Sequence, residues 1–215
     1  MNLKEKAVSV CSELEKLYPE AICSLVYSKP YELLIATRLS AQCTDARVNI
    51  VTEKLFDRYR SLEDLADAQI SELEEIVRPC GFFRTKAADI KGMCRILIDK
   101  YGGQLPDSMD ELTSLPGVGR KTANLILGDI FGKPAVVTDT HCIRISGRLG
   151  LTENSEPSKV EKDLRQIVPP EKGSDLCHRF VLFGRDICKA RKPLCEECSL
   201  KELCRYYTKD KEDKI

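Results

Sequence analysis

Four cysteines near the C-terminal end of the chain stand out first. Cys188, Cys195, Cys198 and Cys204 fall within 17 residues, spaced C-x6-C-x2-C-x5-C. A loop with a C-x2-C step can turn back and aim several thiolates at one centre. Lys189, Arg191, Lys192 and Arg205 stand beside them and favour the ionised sulfurs that ligation requires. Two metals suit the set. Four-cysteine zinc sites commonly show two C-x2-C pairs on separate knuckles, and this segment has one. A cubane iron–sulfur cluster takes a compact set of four with a wide first gap at least as well. Four unligated thiols are the third possibility. Either metal would also organise a segment too poor in apolar residues to fold well by itself.

A second candidate site is the run Leu115-Pro116-Gly117-Val118-Gly119-Arg120-Lys121-Thr122-Ala123. Proline stops one helix, two glycines allow a tight reversal, and a new helix begins at once. Backbone N–H groups at a helix start, with no side chain blocking approach, suit a phosphate, and Arg120 and Lys121 follow directly. No Walker-type G-x-x-x-x-G-K-[ST] spacing is present, which points to a nucleic-acid backbone in place of a nucleotide. A plain helix–turn–helix connection is the alternative. The amine of Lys121, when unprotonated, is a nucleophile for an electrophilic carbon. Eighteen residues on, in Val137-Thr138-Asp139-Thr140-His141, Asp139 is a natural N-cap. Its carboxylate could also orient a proton or stabilise developing positive charge. His141 is either a base or a packed structural histidine.

The elements that must hold these residues read as helices throughout. Tyr31, Leu34, Ile35 and Leu39 follow helical spacing after Pro30; Val48, Val51 and Leu55 do so after Thr44 and Asp45. Ser71-x-x-Glu74 and Ser108-x-x-Glu111 match capping boxes and predict helix starts. Ile90, Cys94 and Leu97 mark a longer helix ending near Gly102. Further helices are predicted over 120–131, 140–149, 158–168 and 174–189, and the run 135–138 is too short to imply a sheet. The class is all-α.

Composition sets the limits. The chain has 215 residues, 42% hydrophobic and 32% charged, a globular balance. Lys and Arg total 34 and so do Asp and Glu, so no overall basic excess announces a nucleic-acid partner. The neutral sum hides an asymmetry: residues 1–110 carry 15 basic against 18 acidic groups, and residues 111–215 carry 19 against 16. The surplus follows the hairpin and the cysteine loop. Eleven cysteines, an odd number, make a poor disulfide framework. Outside the cluster, Cys11, Cys23, Cys43, Cys80, Cys94, Cys142 and Cys177 read as small apolar packing residues. No apolar run spans a bilayer and MNLKEKAVSV is no signal peptide, so the expected setting is intracellular, with no membrane partner.

These motifs together resemble the endonuclease III family, helix-hairpin-helix DNA glycosylases with AP-lyase activity. The resemblance covers nearly the whole chain and includes Glu32-Leu33-Leu34-Ile35-Ala36, Leu39-Ser40-Ala41-Gln42-Cys43-Thr44-Asp45, the hairpin, the Asp139 segment and the four-cysteine loop with Arg191-Lys192-Pro193. It implies two helical lobes with a DNA cleft between them. One is a six-helix barrel lobe, residues 23–132, with the helix-hairpin-helix at about 108–131. The other joins 1–22 to 133–215 and carries a 4Fe–4S cluster on the loop 188–204, through Cys188, Cys195, Cys198 and Cys204. By resemblance, Lys121 is the nucleophile and Asp139 the essential carboxylate. Gly117, Val118, Gly119 and Arg120 contact DNA, while Gln42 and Phe82 fill the space left by a flipped damaged pyrimidine. Carbonyls of Thr113, Leu115 and Val118 would hold a monovalent cation. The chain departs from the family where Phe82 and Phe83 replace the common leucine and tyrosine.

The function so implied is a bifunctional enzyme of base-excision repair. It acts as a monomer on double-stranded DNA with oxidised pyrimidines or abasic sites, in the cytoplasm and on the chromosome. Lys121 favours this branch over the adenine-excising mismatch glycosylases. The competing expectation is a non-catalytic iron–sulfur protein that binds DNA or senses redox state. Phosphate binding alone would need neither Lys121 nor Asp139.

Overall fold

Pairs of capping signals and apolar stripes account for most of the helices in the computed structural model, which describes residues 1–212 and side chains through Thr208. The chain divides into two compact units: residues 23–131, and residues 1–22 with 132–215. Among the described residues there is no strand.

The contiguous unit holds α2 (Pro30–Leu39), α3 (Asp45–Arg58), α4 (Leu62–Asp67), α5 (Ile70–Val77), α6 (Phe83–Tyr101), α7 (Met109–Thr113) and α8 (Arg120–Asp129). The Thr44 side chain accepts from the Arg47 N–H at the start of α3. Ser61 and Asp64 close a reciprocal capping box on α4, and Ser108 caps α7 through the Glu111 N–H. α6 is the central helix. It packs against α2, α4 and α5, burying Ile90, Met93, Cys94 and Leu97 on the expected stripe. Leu33, Leu34, Ile35, Leu65 and Leu73 complete a core from which water is excluded.

In the other unit α1 (Leu3–Leu17) packs on α10 (Pro157–Ile167) and α11 (Gly173–Asp186). α9 (Thr140–Leu149) lies against α11 and α12 (Arg205–Glu212). Ala7, Val10, Leu14, Val160, Leu164, Phe180 and Phe183 form this core. Each phenylalanine contributes about 1.5–3 kcal/mol by burial, and Phe180→Ala would cost about 3–5 kcal/mol. The last three residues of the expected cluster lobe, 213–215, lie outside the described residues.

Three sequence expectations need correction. Ser71 is not an N-cap: Gln69 holds that position, two residues earlier, α5 opens at Ile70, and the Gln69 carbonyl accepts from the Glu72 and Leu73 N–H groups. The helix expected over 120–131 ends at Asp129. The one expected to reach Lys189 ends at Asp186, because the Ile187 and Cys188 N–H groups both fold back onto the Phe183 carbonyl. That turn releases Cys188 from the helix and into the loop.

Candidate active site and iron–sulfur centre

The hairpin is built from its buried ends. Leu115 and Val118 are buried, and the Val118 N–H donates to the Leu115 carbonyl at 3.2 Å. Between them Gly117 takes φ +71°, the left-handed region. A Cβ there would strike Arg38 Nε and lie 2.6 Å from Asp89 Oδ2. These two side chains form a half-buried ion pair at 2.7 Å beneath the turn. Gly119 is the N-cap of α8 and brings no side chain to its first N–H groups, which have no partner within the helix. Arg120 and Lys121 follow at the first two helical positions, both exposed. The structure thus places Gly117, Val118, Gly119, Arg120 and Lys121 together, with an amine beside an open helix start. Of the three carbonyls suggested for a cation, that of Leu115 already accepts the turn hydrogen bond.

Asp139 ends an irregular segment, 133–139, held by contacts with α11. The Val137 N–H donates to Cys177 Sγ at 3.2 Å, and the Ala135 carbonyl presses on Gly173, where any side chain would collide with it. Asp139 caps α9: its Oδ1 accepts from the Cys142 N–H at 2.7 Å. The cap engages one carboxylate oxygen and so orients the other, which makes capping and chemistry compatible roles for this residue. His141 packs on Gly184, and its Nδ1 lies 3.1 Å from Arg144 Nη2. Since arginine can only donate, Nδ1 is the acceptor here, and the histidine is read as structural.

α9 also reaches the cysteine loop. Arg144 donates to the Cys188 carbonyl at 3.1 Å, and Arg148 to those of Lys189 (2.7 Å) and Ala190 (3.0 Å). Arg148 Nη1 lies 3.4 Å from Cys188 Sγ, and its guanidinium covers the Tyr206 ring at 4.9 Å. Two short 3-10 turns, 195–197 and 201–203, carry the loop around. All four cysteines line one cavity of about 380 Å³, part of it open to solvent, walled by Leu149, Phe183, Tyr206 and Tyr207. Burial raises the Cys198 thiol pKa, and charges on Cys204, Cys188 and Cys195 raise it further. An ionised Cys198 is thus disfavoured by itself, a cost that a bound cationic centre would relieve. Among the described residues no three His, Cys, Asp or Glu side chains gather around a single ion. One sulfur per iron around a cubane is the arrangement such a cavity suits.

Gln42 and Phe82 lie on two loops of the contiguous unit, both exposed and both left-handed, at φ 56° and 46°. Sequence reasoning missed what lies beneath them. Lys86 is fully buried, and its Nζ donates to the carbonyls of Leu39 (2.8 Å), Ala41 (2.7 Å) and Cys80 (2.9 Å). One signal was available: Lys86 extends the Ile90, Cys94, Leu97 stripe by four residues, onto the buried face. Of the seven cysteines expected as packing residues, Cys11, Cys80, Cys94, Cys142 and Cys177 are buried in the core, and Cys23 and Cys43 are partly exposed. The Cys80 thiol is pushed up to about 11, by burial first and then by the neighbouring Cys43. Contact with Cys177, together with burial, raises the Cys142 thiol.

Residues 35–170 match the HhH-GPD superfamily of base excision DNA repair proteins, and residues 188–204 the iron–sulfur binding domain of endonuclease III. The chain is 48% identical to endonuclease III of Synechocystis, over 94% of this chain and 92% of that one. It is 44% identical to the Bacillus subtilis endonuclease III, over 95% and 94%.

The chain belongs to the endonuclease III family.

A solved structure of a trapped endonuclease III–DNA covalent intermediate shares 46% identity and superposes with a TM-score of 0.90, covering 98% of this chain and 100% of that one. As an endonuclease III family member the chain is a base-excision repair DNA glycosylase with AP-lyase activity, and DNA is its partner. Its cysteine loop holds a 4Fe–4S cluster, which decides between the two metals left open by spacing. The non-catalytic alternative is not favoured. Among the described residues no helix is long and apolar enough to cross a membrane.

Proposed function

We propose that this chain excises oxidised pyrimidines from duplex DNA through Lys121 and cuts 3′ of the resulting abasic site. The exposed amine of Lys121, seated beside an uncapped helix start, carries the reading. In its unprotonated form it attacks the sugar C1′ and the C1′–base bond breaks. The base leaves with its electron pair and a proton. Opening of the sugar gives an imine between the lysine nitrogen and C1′, and loss of a C2′ proton expels the 3′ phosphate by β-elimination. The hairpin N–H groups and Arg120 hold a backbone phosphate. Asp139, with one oxygen fixed by the α9 cap, offers the other to the positive charge that develops at the sugar. A related protein captured as a covalent complex with DNA supports a covalent route.

Gln42 and Phe82 fill the stack when the pyrimidine leaves it. Cys188, Cys195, Cys198 and Cys204 hold the cluster, which orders the loop 188–204 and its basic residues. Carbonyls of Thr113, Leu115 and Val118 would hold a monovalent cation beside the phosphate. Lys121, Asp139 and the four cysteines all come from one chain, so a monomer suffices, acting in the cytoplasm on the chromosome.

Borohydride reduction tests the proposal. It should trap the chain covalently on duplex DNA containing an oxidised pyrimidine, and Lys121→Ala should abolish the trapped band. Trapping that survives the substitution would overturn the assignment. Asp139→Asn separates the two roles of that residue. Asparagine caps as well as aspartate, so stability should hold while base excision falls at least about 100-fold.

A further inference from the structure

A lysine with no exposed surface needs a reason, since burying an ammonium is costly unless every N–H is satisfied. Lys86 meets that condition: its three N–H groups find the carbonyls of Leu39, Ala41 and Cys80, all within 2.9 Å. Leu39 is the last residue of α2, and its carbonyl is among those left without an intrahelical partner, at the negative end of the helix dipole. Ala41 directly precedes Gln42. Cys80 closes the 3-10 turn that leads through Gly81 to Phe82. One nitrogen therefore holds the backbone on which both loops begin.

Those loops are strained where they matter. Gln42 and Phe82 are non-glycine residues in left-handed backbone, a conformation that persists only where the surroundings impose it. Phe82 is also 66% exposed, an aromatic ring held out into solvent. Neither side chain packs into a core that would repay the strain.

We propose that Lys86 is a positioning residue for base extrusion, its buried ammonium fixing Gln42 and Phe82 side by side as one rigid wedge that enters the duplex. The inference rests on the reading of those two residues as fillers of the vacated stack. It adds the element that sets their geometry before DNA arrives. Preorganisation of this kind matters only when a base must be taken from a paired stack. An abasic site in a single strand has no partner base and no stack to hold open.

The test compares cleavage rates of the holoenzyme on two substrates, a duplex with an oxidised pyrimidine and a single strand with an abasic site. Lys86→Met keeps the side-chain length and removes all three donors. Its duplex-to-single-strand rate ratio should fall about 10-fold or more, since misplacing a positioning group by 1 Å can cost 100-fold. Lys86→Arg, which restores donors and charge, should recover part of the ratio. Equal losses on both substrates would make Lys86 a purely structural pin and overturn the inference. If the Met variant does not fold, Lys86→Gln is measured in its place: a lowered ratio supports the inference and equal losses overturn it. If neither folds, the structural account stands and the inference fails. Phe82→Ala and Gln42→Ala show which idea has failed. If they lower the ratio and Lys86→Met does not, the wedge stands without Lys86. If they leave the ratio unchanged, the wedge itself is wrong.

Discussion

Replacing Gly117 by alanine tests whether the hairpin is held by the ion pair beneath it. Two costs can be worked out. Alanine at φ +71° pays about 1–2 kcal/mol for left-handed backbone. Its Cβ would also collide with Arg38 Nε and sit 2.6 Å from Asp89 Oδ2 and 2.7 Å from Arg38 Cδ, so the pair must open or move. The two side chains are only 15% and 19% exposed, and losing a charge-assisted hydrogen bond in such a site costs about 1.5–3 kcal/mol. Gly117→Ala should therefore lower stability by about 2.5–5 kcal/mol, measured by urea unfolding followed by circular dichroism. A cycle with Arg38→Ala isolates the clash. With the guanidinium gone two of the three close contacts vanish and the Asp89 carboxylate, no longer held by its partner, can turn aside, so the double variant should cost less than the sum of the singles by more than about 0.5 kcal/mol. A loss below about 1 kcal/mol, or strict additivity, would refute the reasoning.

Gly119→Ala should behave in the opposite way. Its φ of −98° suits any residue and nothing lies within 4 Å of the added carbon, so stability should fall by less than about 1 kcal/mol. Affinity for abasic duplex, measured by fluorescence anisotropy, should drop several-fold if phosphate approaches there. Arg148→Met removes the donors to the Lys189 and Ala190 carbonyls and the cover on Tyr206. The visible absorbance of the cluster should then bleach about 10-fold faster under a chelator. Hydrogen bonds from Thr152 and Asn154 hold the Asp163 carboxyl below its ordinary value of 3.8. A depressed carboxyl contributes stability that is present above its unfolded pKa and lost as pH falls through the folded one. Thr152→Val should therefore narrow the difference in melting temperature between about pH 6 and about pH 3.

What the sequence disclosed, and what it hid, follows the distance between partners along the chain. Cys188 to Cys204 and Leu115 to Lys121 are short runs whose local geometry is encoded in neighbouring residues, and the cysteine loop and the hairpin turn were both readable. Asp139, Thr44 and Ser108 cap helices as their types and positions suggest. Lys86 was hidden because its carbonyl partners at Leu39 and Ala41 lie 47 and 45 residues away. A lysine on an apolar stripe looks solvated until the fold supplies acceptors. The Arg38–Asp89 pair under Gly117, the neighbouring thiols Cys43 and Cys80, and the contact of Cys142 with Cys177 were hidden for the same reason. Ser71 misled because a capping pattern states a preference, and the Gln69 carbonyl served the first turn instead.

The threading of the chain also bears on the order in which it can fold at the ribosome. Residues 23–131 are contiguous, so their core can close once that stretch has emerged. α1 is made before them, yet its partners come after. Glu15 meets Lys172 across 157 residues, and the Tyr18 carbonyl meets Arg179 across 161. At roughly 5–20 residues per second, the apolar face of α1 waits about 8–30 seconds for α11. The cysteine loop is synthesised later still. All four cysteines therefore become available only after the hairpin unit has had time to fold.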